Sequence, residues 1–589
     1  MKGVKYFLQA VALSIKIKSP LSLIISIAGF AAAFLPMLIS LQLKEFTNHV
    51  QSLFNQPDLL SVAIISFAFL VLFYILQTVF TLVEKYIAAQ DTAKIIRYIK
   101  EQMLILLASV PYKYIENHLN FREKVDFVKT YAGEKTAGSI LLIFSWVAGI
   151  ISFVSVSIIL LDVSPWIVLA LIATCVPAVI LSHLQKDETY FNRFKWMKEN
   201  RLASQYSIAC RDNASIKEIR FFGLYPYMKE KWRNLWQNYV TKKNKVARKH
   251  FLYNGAADLL RNGVWLVIII ITALAIYHNP DVGLGVFMLV FSAARQLQTI
   301  TTNLLINTFS IFSDVKYMKN FFDLLETEKE ETSKDLPFDN VVMEFDNVDF
   351  SYPNTNFLAL DKLSVKIKQG EKIAIVGANG SGKSTFVSLL CGLYVPQNGN
   401  AKINDEIISD NLWKTRRSLS VIFQSFCQYQ DTLRNNITIS NPIRSREDGD
   451  ILSLARQTGA DEVIKQQNDS LDEIIGLFSE SGNNLSGGQW QKVAITRALF
   501  RKNARVYILD EPTAALDPIA EANIYRNFTS LTGDKTTILI SHRLGITSIV
   551  DRILVFDQGR IVEDGNHNEL MKKNGIYAQM YQAQARWYK

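Results

Sequence analysis

Cysteine is scarce in this chain of 589 residues: Cys175, Cys210, Cys391 and Cys427 stand far apart. There is no C-x-x-C pair and no histidine cluster at metal spacing, so a disulfide framework and a structural zinc site are excluded, and reduced thiols are expected. A cleavable signal peptide is also not expected. The apolar stretch after Lys2, Lys5, Lys16 and Lys18 is too long for an h-region and lacks an A-x-A-like end. The most informative absence is that of charge. No charged residue occurs from Ser19 to Leu43, Leu59 to Val83, Thr136 to Leu161, Val163 to Gln185, or Asn262 to Pro280, and the run from Val282 to Ser313 is broken only by Arg295. Each run meets or approaches the roughly 20 residues that cross a hydrocarbon core of about 30 Å. Six candidate spans therefore lie in the first half, which argues against buried helices of a large soluble protein.

What is present agrees with two unlike portions. The chain is 49% hydrophobic although 20% of its residues are charged, and its mean hydropathy is +0.11. A net charge of +10 suits either nucleic acid or an anionic membrane face, so its position decides. Counting Lys and Arg between the spans gives four in the N-terminal segment, about nine from Glu84 to Lys135 and about seventeen from Lys186 to Arg261. The three other connections together carry about one. This alternation places the N-terminus, both basic segments and everything after the sixth span in the cytoplasm. By region, about +14 lies before Ser313 and about −4 after it. Lys242, Lys243, Lys245, Arg248 and Lys249 sit where anionic headgroups lie, which favours lipid over nucleic acid.

The two basic segments lack Gly/Pro punctuation and read as helices continuing out of the membrane. Near their midpoints, around Tyr114–Asn117 and Ser215–Arg220, the chain must turn back, which makes these stretches candidates for transmitting force. Arg295 lies about 20 Å along the sixth span. There a charge is costly unless it faces a watery path or snorkels, and both readings stay open. His183 reads as interfacial.

From Asp314 to Asn340 the texture is that of a charged linker, followed by alternating short β-rich and helical runs, the pattern of an α/β domain. The apolar run Lys372–Val376 feeds Gly377, Ala378, Asn379, Gly380, Ser381, Gly382, Lys383, Ser384 and Thr385, which matches G-x-x-x-x-G-K-[ST]. In such a loop the glycines let backbone N–H groups cradle phosphates, the Lys reaches the β- and γ-phosphates, and the Ser holds Mg²⁺. A second apolar strand, Val506–Leu509, ends in Asp510 and Glu511. The first carboxylate is placed to hold the metal and the second to deprotonate the attacking water.

Between these motifs lies Leu485-Ser486-Gly487-Gly488-Gln489, the signature of the ATP-binding cassette transporters, which the whole chain resembles. The resemblance implies an adenine-stacking role for Tyr352, a metal- and membrane-sensing role for Gln424, a crossing loop at Asp517 and a switch histidine at His542. It also implies that Ser486 to Gln489 face the phosphate loop of a second cassette, so that two chains form two sites. No catalytic element is degenerate, which suits a homodimer. A finer resemblance, carried by Gln424–Tyr429, Trp490, Ala514–Pro518 and Lys217–Leu224, is to bacterial exporters of lantibiotics and related modified peptides, though relatives usually place Arg or Lys where Trp490 stands. No N-terminal peptidase domain is expected.

The expected fold is an all-α membrane domain of six transmembrane helices (1–313), a linker (314–340) and a cytoplasmic α/β P-loop ATPase domain (341–589). The expected function is ATP- and Mg²⁺-dependent export of a modified peptide across the bacterial plasma membrane by a homodimer. Lys383, Glu511 and His542 are the expected catalytic residues; Ser384, Gln424 and Asp510 hold the metal, and Arg295 lies on the substrate path. Lipid or hydrophobic-drug export, siderophore import and a non-transporting sensor ATPase are the alternatives.

Overall fold

The computed structural model describes residues 2–17, 19–54, 56–117, 119–278, 283–331, 336–353, 355–441, 447–467, 469–476, 484–511, 518–541 and 544–586. It divides into two units: residues 1–108 with 120–327, and residues 109–119 with 328–589.

The first unit is helical. Helix Lys2–Ile17 precedes a span made of two helices, Pro20–Ala32 and Leu35–Leu53. The break falls at Ala33–Phe34, just before Pro36, whose missing N–H and fixed φ suit the first turn of a new helix. Helices Leu60–Ser109, Gly133–Val163, Pro165–Ala209, Tyr225–His278 and Gly283–Leu325 complete the set of long elements. Among the described residues, five stretches are long and apolar enough to cross a membrane: Ser22–Leu53, Pro57–Ser109, Leu142–Val163, Tyr225–His278 and Gly283–Leu325. The span expected at 163–185 falls in helix Pro165–Ala209, which carries the apolar stretch Pro165–Pro177 among the described residues. In the sequence the apolar run continues through Ala178, Val179, Ile180 and Leu181 before Ser182, His183 and Gln185; the side chain of His183 lies outside the described ones.

The expected linker is corrected at both ends. The last long helix runs on to Leu325 because its inner face stays buried through Tyr317, Met318, Phe321 and Leu324. At the other end, Phe338 and Val341 already belong to the core of the second unit. The core of the first unit joins Val156 and Leu160 to Leu171, Ile268, Leu289, Val290 and Leu297. Polar ties cross between helices. Ser152 Oγ donates to the Ala33 carbonyl (2.7 Å), Trp146 Nε1 to Thr308 Oγ1 (2.7 Å), and Gln298 Nε2 to the Arg261 carbonyl (3.0 Å). The second basic segment turns back through helix Asn213–Phe221, capped at its start by Asp212, whose carboxylate accepts from Ser215 N (3.0 Å). Its end is closed by Gly223 at φ +61, which lets Leu224 N–H reach back to the Ile219 carbonyl (2.8 Å).

Among the described residues the second unit holds twelve strands: β1 (Met343–Phe350), β2 (Leu360–Ile367), β3 (Lys372–Gly377), β4 (Asn398–Ile403), β5 (Glu406–Ile407), β6 (Leu419–Ile422), β7 (Asp431–Thr432), β8 (Ile474–Ile475), β9 (Val506–Asp510), β10 (Thr536–Ile540), β11 (Arg552–Asp557) and β12 (Arg560–Gly565). Four form an antiparallel sheet, β2-β1-β4-β5; six form the main sheet, β12-β11-β3-β10-β9-β6, parallel except for β12. β3 and β9 are buried along their apolar runs, as expected of parallel strands covered on both faces. One core lies against the antiparallel sheet and the helix Lys383–Leu390; a second lies on the opposite face around Tyr525, Phe528 and Tyr577. A third, smaller core gathers Leu433, Ile437, Ile451, Leu485, Trp490, Val493 and Phe500 in a helical layer.

Candidate functional site

The phosphate-loop motif leaves the C-terminal end of β3, flanked by β11 and β10, the edge of a parallel sheet where ligands bind. Its glycines are needed for room as well as for rotation. Gly377, Gly380 and Gly382 have φ of +155, +77 and +104; a Cβ on Gly377 would lie 2.2 Å from the Phe556 carbonyl oxygen, and one on Gly382 2.8 Å from that of Ala359. Helix Lys383–Leu390 starts directly behind. Its N-terminus and the loop N–H groups form a cradle for anions, to which Ala378 and Asn379 contribute backbone.

Lys383 is buried and folds back, its Nζ donating to the Gly377 and Ala378 carbonyls (3.0 and 2.9 Å). Burial lowers the pKa of its ammonium, an effect opposed by the charges of Glu511 and Asp510. Those same charges place both carboxylates within electrostatic reach of the lysine, although they come from a strand two places away in the sheet. The buried Ser381 hydroxyl has no partner among the described residues. It fits a cradle that awaits phosphate oxygens, because an unpaired buried hydroxyl costs about 1–3 kcal/mol. Ser384 is exposed at the start of the helix, open for a metal. Thr385 is buried, and its Oγ1 lies 3.1 Å from Tyr352 Oη, which holds the Tyr352 ring over the loop.

Asp510 ends β9 and is buried. Glu511 follows in a left-handed conformation, φ +45, with its N–H donating to the Ile540 carbonyl at 3.1 Å. Strain of this kind at a non-glycine residue persists where surroundings impose it, often at functional sites. The turn brings the Glu511 carboxylate to Gln424, whose Nε2 donates to Oε2 at 3.3 Å. Lys383, Asp510, Glu511 and Gln424 thus assemble from three separate segments. The residues present fit a nucleotide with Mg²⁺.

The signature turn belongs to the helical layer. Ser486 caps helix Gly487–Phe500, its Oγ accepting from Gln489 N (3.3 Å) while Ser486 N–H donates to Gln489 Oε1 (2.8 Å). Gln489 also donates to Gln466 Oε1. Among the described residues the Ser486 hydroxyl accepts from Gln489 N and gives its proton to no acceptor, beside the backbone of Gly487 and Gly488. Trp490 is explained by its position: it is buried in the helical-layer core, where an indole in place of a cation adds packing. Arg497, at the other end of that helix, lies over the Tyr429 ring (4.9 Å) and donates to the Cys427 carbonyl (2.9 Å). It ties the loop after Gln424 to the signature helix, a role that nothing in the sequence around it marks. Asp517 and His542 lie outside the described residues. Arg295, in the first unit, donates to Asn262 Oδ1 (2.7 Å) and lies over the Trp265 ring (5.5 Å), with its side chain exposed.

A phosphate-binding cassette on the same chain as a set of membrane-crossing helices defines a membrane-bound ATPase that drives transport. The chain belongs to the ABC transporters. The model for the ABC transporter family matches residues 360–514 and that for the ABC transporter transmembrane region residues 134–300. The subtilin transport ATP-binding protein SpaT of Bacillus subtilis is 33% identical over 422 residues, 70% of this chain and 68% of its own. The nisin transport ATP-binding protein NisT of Lactococcus lactis subsp. lactis is 28% identical over 565 residues, 93% of this chain and 91% of its own. An ATP-dependent lipid A-core flippase of Coxiella burnetii is 32% identical over 381 residues, 64% and 63% of the two chains. A solved bacterial Atm1-family ABC exporter with ATP bound superposes with a TM-score of 0.80 at 23% identity, covering 96% and 97% of the two chains. The fold is therefore that of an ABC exporter, and the cassette binds and hydrolyses ATP to drive transport.

Proposed function

We propose that this chain exports a modified peptide across the bacterial plasma membrane as a homodimer, with the N-terminus and cassette in the cytoplasm. The observation that carries this reading is the likeness to the nisin transport protein over 93% of the chain, joined by that to the subtilin transport protein. Those relatives are named for the transport of subtilin and nisin, and the cargo of this chain is assigned to the same class.

The residues divide the chemistry as follows. Lys383 and the loop N–H groups hold the β- and γ-phosphates, and Tyr352 stacks on the base. Ser384, Asp510 and Gln424 would hold Mg²⁺, which would supply positive charge to the phosphate oxygens. The Glu511 carboxylate takes the proton of the attacking water, and the family resemblance assigns His542 the switch role at the γ-phosphate. Ser486, Gly487, Gly488 and Gln489 grip the same phosphate from the partner cassette, and the family resemblance assigns Asp517 to the loop that crosses between the two. Closure of two cassettes around two nucleotides then changes which side of the membrane the cavity faces, and hydrolysis resets it.

The test is reconstitution in proteoliposomes with a lanthionine-containing precursor peptide and, separately, a fluorescent lipopolysaccharide-core lipid. Peptide-stimulated ATPase with ATP-dependent peptide accumulation supports the reading. Lipid transfer without peptide movement transfers it to the flippase class that the third relative represents.

A further inference from the structure

The segment Ser109–Leu119, which contains the Tyr114–Asn117 stretch expected from the sequence to transmit force, belongs to the same unit as the cassette. Its helix Tyr112–Asn117 is held there by two independent sets of contacts. One is ionic: Lys113 Nζ and Tyr114 Oη donate to Glu328 (3.2 and 3.3 Å), Glu330 N–H donates to the Ser109 carbonyl (2.7 Å), and Arg416 grips the Glu330 carboxylate with both ends of its guanidinium (2.5 and 3.0 Å). The same Arg416 donates to the Gly392 carbonyl (2.7 Å), in the turn that carries Tyr394.

The other set is aromatic. The Tyr112 ring meets Tyr394 edge to face, centroids 5.7 Å apart at 86°. Tyr394, buried, meets Tyr352 in the same way, at 5.4 Å and 86°. Phe350 closes the cluster, 5.1 Å from Tyr352 and 5.3 Å from Tyr394. Edge-to-face pairs place the positive rim of one ring on the negative face of the next, so their strength depends on orientation. A ring rotated at Tyr352 therefore changes what Tyr394 and then Tyr112 can keep.

We propose that Tyr394 is a positioning residue that passes occupancy of the Tyr352 face by a nucleobase to Tyr112, so that docking of this cytoplasmic turn responds to the base and not to the triphosphate alone. This rests on the reading of Tyr352 as the base-stacking ring. By linkage, a base that favours one ring arrangement binds more weakly when Tyr112 can no longer share it.

The test uses the full chain in nanodiscs with Mg²⁺ withheld to prevent hydrolysis. It measures dissociation constants for ATP and for inorganic tripolyphosphate, which carries the charge without the base. Tyr352→Leu and Tyr112→Leu are each expected to weaken ATP about threefold to tenfold, the factor an edge-to-face pair is worth, and to leave tripolyphosphate unchanged. Tyr112→Phe, which keeps the ring, should stay within about twofold of the wild type. If Tyr352→Leu weakens ATP while Tyr112→Leu does nothing, or weakens both ligands alike, the relay is overturned and the base reading stands. If Tyr352→Leu leaves ATP binding unchanged, the base reading fails and the relay with it.

Discussion

The same residue types occupy opposite places in the two units. In β3 of the cassette, Ile373, Ala374, Ile375 and Val376 are all 0% exposed, whereas Ile64, Ile65 and Ile75 on helix Leu60–Ser109 are each more than half exposed. Alongside its apolar core the membrane unit also buries Ser40, Ser152, Gln298, Thr301 and Thr302. The cassette folds because water expels its apolar surface. The membrane unit gains nothing by hiding isoleucine from hydrocarbon, so its helices are joined by close packing and by polar groups that find partners inside. The contrast teaches that exposed apolar area is a defect in one unit and a solvation requirement in the other.

The largest expected effect lies where the cassette departs from its own rule and gathers charge near a buried centre. Glu511→Gln keeps the shape and the contact with Gln424 but removes the base. ATP turnover is expected to fall about 10²- to 10⁴-fold with ATP binding retained, measured by phosphate release and nucleotide binding on the same preparation. Turnover at the wild-type rate would show that the carboxylate is not the base. Next comes a matched pair that probes the comparison directly. Ile375→Ala should destabilise the cassette by about 2–5 kcal/mol through lost burial and a cavity. Ile75→Ala in the membrane unit should change stability by less than about 0.5 kcal/mol, both read as denaturation midpoints of the whole protein in detergent. Equal losses would break the contrast.

How much of this was legible in the sequence follows the same division. Charge-free runs report solvation directly, so the first, second, third, fifth and sixth spans are readable from composition. The fourth is as free of charge as the others, but its end is not legible, because its helix continues through Pro177 to Ala209. The phosphate loop is legible because its glycines answer a local demand, close backbone approach. The linker boundary is not, since whether Tyr317 and Phe321 are buried depends on helices far away in sequence. Tyr394 and Arg497 are invisible for the same reason: their partners, Tyr112 and Tyr352 for one and Tyr429 for the other, are brought to them only by the tertiary fold.

A charge placed on the outer face of the membrane unit sharpens the contrast from the other side. Ile75→Lys puts an ammonium on a surface that must lie in hydrocarbon or against another helix, and its insertion cost is about 2.5–3.5 kcal/mol near a span centre. The matched change Ile576→Lys, at a part-exposed site of the cassette, should cost less than about 0.5 kcal/mol. Membrane-integrated yield measures the first and thermal midpoint the second. Smaller again is Arg295→Ala, which removes the hydrogen bond to Asn262 and the contact with Trp265. On the proposal that Arg295 faces the substrate path, losing a contact with the peptide worth about 1 kcal/mol raises the peptide concentration that half-stimulates ATPase about fivefold, with basal hydrolysis unchanged. An unaltered stimulation curve would remove Arg295 from the substrate path.

The smallest expected difference is the most discriminating. Ser152 Oγ donates to the Ala33 carbonyl across two membrane helices (2.7 Å), and Ser420 Oγ donates to the Ala498 carbonyl between β6 and the signature helix (2.8 Å); both serines are buried. The absence of water in the bilayer suggests that the first bond should be worth far more than the second. Yet a helix separated in the membrane finds other partners for its polar groups, and such bonds average about 0.6 kcal/mol. A bond of the second kind nets about 0.5–1.5 kcal/mol in water. Ser152→Ala and Ser420→Ala are therefore expected to cost nearly the same, within about 1 kcal/mol of each other by reversible unfolding in mixed micelles. A Ser152→Ala loss above about 3 kcal/mol would mean that hydrogen bonding, and not the placement of apolar surface alone, separates the two units.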